Sequence, residues 1–172
     1  MKTPTKTNPL WEDTRDMHHA CEHHKVGAAM ATGNPPRQWY AAWLTALRQI
    51  HEVVDASLPE SLHRVALLEA DIAAIGLPTA PLKAAAEYAA QLKTSPALAG
   101  AAYVLTGAHL MGGEIMRRRL EGFSTQHLTW TDRKQALGEL NKLRATEGIT
   151  QESRDCFKAL LGVMDEIVLT WP

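Results

Sequence analysis

Gly33-Asn34-Pro35-Pro36-Arg37-Gln38-Trp39-Tyr40-Ala41-Ala42-Trp43-Leu44-Thr45-Ala46-Leu47-Arg48-Gln49-Ile50-His51-Glu52-Val53-Val54 decides the fold class. The glycine and two prolines break any preceding helix. From there Trp39, Trp43, Leu47, Ile50 and Val54 recur every three or four residues, the period of a long amphipathic helix. The same alternation of breaker and helical period extends in both directions. Upstream, Asn8-Pro9 opens a first helix through about Lys25, with Asn8 as cap and Pro9 in the first turn, where its missing N–H is harmless. Downstream, Pro59 starts an element with Leu62, Val65, Leu68, Ile72 and Ile75 on one face, stopped by Gly76-Leu77-Pro78.

A short helix follows from about Pro81 to Lys93. Ser95-Pro96 then caps an apolar stretch from Ala97 to about Leu120. Thr129 to Arg144 and Thr150 to Trp171 close the chain, the last with Phe157, Leu160, Leu161, Met164, Ile167 and Val168 facing inward. β-branched residues nowhere alternate long enough for a strand. The expected architecture is all-α, a single-domain multi-helix bundle over residues 9–172 behind a flexible N-terminal tail over residues 1–8.

A chain of 172 residues can bury a full core as one domain. With 18 Lys+Arg against 19 Asp+Glu, no global field recruits nucleic acid or an anionic membrane. Cys21 and Cys156 are too few for a disulfide framework and read as small core residues. The absence of a secretory leader or a membrane-length apolar run leads to the expectation of a soluble, cytoplasmic protein.

Four histidines cluster in His18-His19-Ala20-Cys21-Glu22-His23-His24. At about 100° per residue they cannot share one face. Thr14, His18 and Glu22 stand four residues apart and fall on a stripe with Leu10, Met17 and Cys21, expected to face the core. His18 is then either a hydrogen-bonded core residue or a metal ligand. Glu22 favours ligation, because an imidazole that binds metal through one nitrogen directs its other N–H at an acceptor. His19, His23 and His24 are expected to face water.

Two other metal patterns occur. His19-Ala20-Cys21-Glu22-His23 fits the H-x-x-E-H pattern of inverted zinc peptidases, which also need a third ligand from a partner helix. Glu60-Ser61-Leu62-His63 fits half of a di-iron motif, although Glu60 after Pro59 also suits a helix start. A separate feature is the helix carrying Gly107, Gly112 and Gly113, since each interior glycine costs about 1 kcal/mol against alanine. Glycine there either permits close helix packing or leaves bare backbone over a ligand.

Together these segments resemble the heme oxygenase family. Thr14-x-x-x-His18-x-x-x-Glu22 is similar to its proximal helix, and Trp39-Tyr40-Ala41-Ala42-Trp43-Leu44 within Gly33 to Leu58 is similar to its second long helix. Ser95-Pro96-Ala97-Leu98 leading into Tyr103-Val104-Leu105-Thr106-Gly107-Ala108-x-Leu110 resembles its distal helix. The similarity runs from Leu10 to about Phe123. It implies His18 as proximal iron ligand and Glu22 as the group that orients it. Gly107 and Gly112 would lie over heme, with His109 and Met111 in the same segment. Arg15 and Tyr103 match positions that meet heme propionates; Lys142 and Arg144 are the nearest basic residues late in the chain.

The activity so implied is oxidative cleavage of heme, both substrate and cofactor, to biliverdin, carbon monoxide and ferrous iron. It consumes O2 and electrons from a reductase or ferredoxin, and the bilin can pass to a downstream acceptor. The chain departs from the family pattern at Ala108, where a serine or aspartate is expected, and at Met111, where a glycine is expected. A distal ligand from Met111 or His109 would instead make a six-coordinate protein that stores, transfers or senses heme without degrading it.

Overall fold

The computed structural model describes residues 9–95 and 98–172. The expected tail, the Asn8 cap, and Pro96 and Ala97 at the head of the glycine-bearing helix lie outside the described residues. Helix α1 spans Pro9–His23, α2 Lys25–Thr32, α3 Arg37–Val54, α4 Val65–Ile75 and α5 Lys83–Thr94. Then come α6 Ala99–Gly107, α7 Gly113–Arg119, α8 Arg133–Leu143 and α9 Ile149–Thr170. Among the described residues there is no strand. No described helix is long and apolar enough to cross a membrane.

The glycine breakers act where sequence places them, whereas the element expected from Pro59 is split into a 3-10 turn at Glu60–Leu62 and α4, which begins only at Val65 where the Asp55 carboxylate meets its first N–H groups. Gly33 (φ 80°) ends α2 and Gly76 (φ 67°) ends α4, both left-handed, a conformation that costs glycine nothing and other residues about 1–2 kcal/mol. The first helix stops sooner than periodicity suggests. His24 leaves helical geometry, and its ring accepts the Val26 N–H to cap α2. The last-but-one helix starts at Arg133, four residues later than expected, because the Asp132 side chain caps it through the Gln135 N–H.

Helices α3 and α9 form the centre. α3 packs against α4 and α5; α9 carries α1, α2, α5 and α6 around it. α3 buries Tyr40, Ala41, Leu44, Leu47, Ile50 and Val54, and α9 buries Cys156, Leu160, Val163, Met164 and Ile167. Leu161 and Val168, expected inside, are only partly covered. Burial pushes the Cys21 thiol up to about 11 and the Cys156 thiol up to about 12, so both stay protonated as packing groups.

Remote carboxylates cap several helices. Glu166 on α9 accepts the Lys83 and Ala84 N–H groups at the start of α5. Glu152 accepts the Gly100 N–H at 2.8 Å in the first turn of α6, and Asp55, just past α3, accepts the Arg64 and Val65 N–H groups where α4 begins. Each satisfies donors left orphaned at a helix start and sets a negative charge on the positive end of the dipole. The Gly100 contact is also close. A Cβ built there meets the Glu152 Cβ, with the Glu152 carbonyl carbon and the Ser153 N at 2.5 Å. Gly100→Ala should therefore lower stability by about 1–3 kcal/mol, read as a lower urea midpoint; an unchanged midpoint would contradict this packing.

Candidate functional site

α9 is a shared floor for α1 and α6. Cys21 on α1 donates its thiol to the Phe157 carbonyl (3.8 Å), and the His18 ring meets the Phe157 ring edge-on at 6.0 Å. α6 rests through Gly100 on Glu152 and Ser153, one turn earlier on the same helix. The two segments singled out in the sequence are thus brought to one stretch of α9.

On α1 the expected stripe is graded. Leu10, Thr14 and Cys21 are buried, and the Thr14 hydroxyl donates to the Leu10 carbonyl. His18 sits at the edge with its side chain 35% exposed, and Glu22 is more open at 57%. His18 Nδ1 lies inside with no hydrogen-bond partner, its nearest acceptor Glu22 Oε2 at 3.5 Å. The Trp11 ring packs edge-on against His18 at 5.0 Å.

The glycine-bearing stretch is not one continuous α-helix. Residues Ala108–Gly112 form a π-helical turn between α6 and α7, the kind of widened turn that recurs at functional sites. Two carbonyls there are taken from outside: Trp130 Nε1 donates to His109 O (3.4 Å) and Arg133 to Leu110 O (3.2 Å). Tyr103 is half-buried and receives the Arg144 Nε–H on its hydroxyl (3.3 Å), while Arg15 is exposed. Lys142 pairs with Glu139.

The glycines are not packing devices. A Cβ on Gly112 meets nothing within 4 Å, and one on Gly107 meets only a Leu140 methyl at 4.0 Å. Gly113 alone faces a neighbour, Leu128 at 3.5 Å. Gly107, Ala108, Met111, Gly112 and Ile115 together leave an open, mostly apolar strip. Met111 (56% exposed) and Ile115 (58%) lie on it, bare of protein cover.

His109 behaves differently from its neighbours. It turns inward, 6% exposed, into a group of histidines that sequence reading did not find. Its ring stacks on His51 (5.5 Å, 19° between planes) and meets His127 edge-on (5.2 Å). His51 Nδ1 lies 2.9 Å from Asp55, and His127 Nδ1 2.6 Å from Asp71. Asp71 also accepts the Gln126 and His127 N–H groups, and the buried Arg64 guanidinium stacks over Trp130 at 3.7 Å.

Two ring nitrogens, His51 Nε2 and His109 Nδ1, are buried without a partner, a pattern that calls for an internal water. The missed positions were only partly legible. His51 and Asp71 sit in register with the apolar stripes of α3 and α4, whereas His127 lies in a short 3-10 turn with no periodic context.

Burial, reinforced by His127, His51 and Arg64, holds the His109 ring neutral far below the usual imidazole range; burial also lowers His127 although Asp71 opposes it. Burial alone would raise Asp55 and Asp71, but hydrogen bonds from His51 and His127 and from backbone N–H groups hold both below the usual carboxylate value. Arg64 drops to about 10 through burial and stays charged.

Among the described residues no group of three or more His, Cys, Asp or Glu is arranged to hold a metal ion. His63, of the half di-iron motif, turns its Nε2 to the Leu58 carbonyl.

This arrangement, an all-helical bundle in which the histidine-bearing first helix and α6 share the α9 floor, has the heme oxygenase-like helical fold. The structure superposes on heme oxygenase from Leptospira interrogans with a TM-score of 0.78 and 21% identity, covering 91% of this chain and 97% of that one. It is similarly close to heme oxygenase-1 from Synechocystis sp. PCC6803 in complex with heme (TM-score 0.78, 16% identity, 94% and 93% covered). Heme oxygenase-2 from Synechocystis, in complex with heme and NO, gives 0.76 at 21% identity, with 92% and 83% covered. No protein-family model and no curated protein sequence matches the chain.

The histidine group yields a pH dependence. The lowered imidazoles bind fewer protons in the fold than in the unfolded chain, whose histidines titrate near about 6.5. Their contribution is fully present above that pH and is lost as pH falls below it. Urea midpoints should fall between about pH 7 and 5, and His109→Gln should flatten that slope; an equal slope in the variant would contradict the assignment.

Proposed function

We propose that the chain binds heme through His18 and oxidatively cleaves it to biliverdin, carbon monoxide and ferrous iron, using O2 and electrons from an external reductase or ferredoxin. The observation that carries the reading is a half-exposed imidazole with its buried Nδ1 beside Glu22, on a helix that shares the α9 floor with the start of α6, whose far end runs into the open Gly107 and Gly112. Heme, when bound, supplies the redox-active iron and the ring that is oxidised.

The residues present suit that group. Glu22 Oε2, 3.5 Å from the unpartnered Nδ1, is placed to accept its N–H on a small rotation, which would leave the Nε2 lone pair of His18 free to ligate. The absence of side chains at Gly107 and Gly112 leaves room for a flat ring that any Cβ would invade. Trp11, Met111 and Ile115 offer apolar surface for the macrocycle to cover. Arg15 and the Tyr103–Arg144 pair supply donors for carboxylates. Ala108 brings no polar atom to the strip, so His109 takes that part from below. Its Nδ1, buried with His51 Nε2 and without a protein partner, is the polar atom beneath the turn that would anchor a proton-delivering water.

A second reading, heme binding without cleavage, is favoured by the position of Met111. Its thioether is exposed on the bare strip, free to take the remaining iron position and block oxygen.

Heme-loaded protein given reductant in air should lose its Soret band while a bilin spectrum grows. Intact heme after reduction, with cleavage appearing only in Met111→Gly, would establish the second reading instead. Gly112→Ala separates site from scaffold. Its Cβ meets nothing and alanine favours helix by about 1 kcal/mol, so the melting temperature should hold or rise while hemin affinity falls. Unchanged hemin affinity would contradict the placement of heme on this strip.

A further inference from the structure

We propose that His19 and His23 form a two-imidazole clamp for a divalent transition-metal ion on the outer face of α1, separate from the site of His18. Both are exposed and one helical turn apart, with ring centroids at 6.0 Å. The other histidines of the cluster are engaged. His24 spends one ring nitrogen on the Val26 N–H and the other on Asp165, and His18 keeps its Nδ1 buried, 3.5 Å from Glu22 and turned away from the outer face. His23 is already set as a ligand: its Nδ1 lies 2.9 Å from the His19 carbonyl. That bond fixes the Nδ1–H tautomer and leaves Nε2 as a bare lone pair, the condition in which imidazoles bind metal. No hydrogen bond among the described residues reaches the His19 ring nitrogens.

The electrostatics suit a cation. His23 is the last residue of α1, where the negative end of the helix dipole favours positive charge. His19 also lines a shallow surface cleft with Glu12, Asp13 and Asp16, whose basic members are Arg15 and Arg154. Arg154 is committed there to Asp16 and the Asp13 carbonyl.

Metal–nitrogen bonds of about 2.0–2.1 Å bring two ligating rings to about 5 Å, so these rings need close by only about 1 Å. Imidazole pairs select Zn2+, Cu2+ or Ni2+ over Mg2+ or Ca2+. With only these two protein ligands, the other coordination positions go to water. The ion ties the last turn of α1 across its hydrogen-bond ladder and so stiffens the turn beside His18.

The test uses the full heme-free chain and therefore stands apart from the heme reading. Titration with Zn2+ should show one equivalent bound, with affinity falling at least about tenfold in His19→Gln and in His23→Gln, as when one of two linked contacts is lost. His63→Gln and His18→Ala should leave it unchanged. Cu2+ should give an electron paramagnetic resonance signal with two nitrogen couplings, reduced to one in either variant. Equal Zn2+ affinity in wild type, His19→Gln and His23→Gln would overturn the proposal, as would loss of binding in His18→Ala alone. Circular dichroism identical across the exposed-site variants shows that the comparison is between folded proteins.

Discussion

The pairing of His18 with Glu22 on one face of α1 is the constraint from which the functional reading follows. A single helical turn brings a carboxylate to 3.5 Å from the inner ring nitrogen of a histidine. That nitrogen has no other partner. A buried ring nitrogen of this kind costs free energy unless it is satisfied, and Glu22 is its nearest acceptor. The rest of the site serves this pair: Phe157 and Trp11 hold the ring from its edges, and α9 fixes α1 relative to the glycine-bearing segment.

That segment is shaped by what it lacks. Its π-turn leaves Met111 and Gly112 outside and turns His109 inside, and the carbonyls that the widened turn releases are met by Trp130 and Arg133. The buried group below, His51, Asp55, Arg64, Asp71, His109 and His127, ties α3, α4, the π-turn and the loop before α8 into one polar network. Its carboxylates are held below their usual range and the His109 and His127 imidazoles are lowered, and the network is pinned by polar bonds rather than by apolar packing. The turn is thereby held from beneath while Ala108, Met111 and Gly112 stay outside.

Local chemistry made most of the fold legible. Trp39 through Val54 announced α3, Gly33 and Gly76 announced helix ends, and the spacing of Thr14, His18 and Glu22 marked the stripe on α1. What sequence could not supply were contacts made at a distance. The end of α1 at His23 depends on a histidine side chain acting as a cap, and the starts of α4, α5 and α6 depend on carboxylates from other helices. The π-turn has no periodic signature, because one extra residue per turn cannot be told from ordinary helical drift. His127 became visible only when a loop folded back onto Asp71. Glycine alone does not distinguish close packing from open space: Gly112 has nothing within 4 Å of its Cβ position, whereas Gly113 faces Leu128.

The most direct test of the central claim is resonance Raman spectroscopy of the reduced hemin complex. Wild type should show the iron–histidine stretching band, Glu22→Gln should shift its frequency, and His18→Ala should lose it until free imidazole is added. The same band in wild type and His18→Ala, without imidazole, would contradict the account.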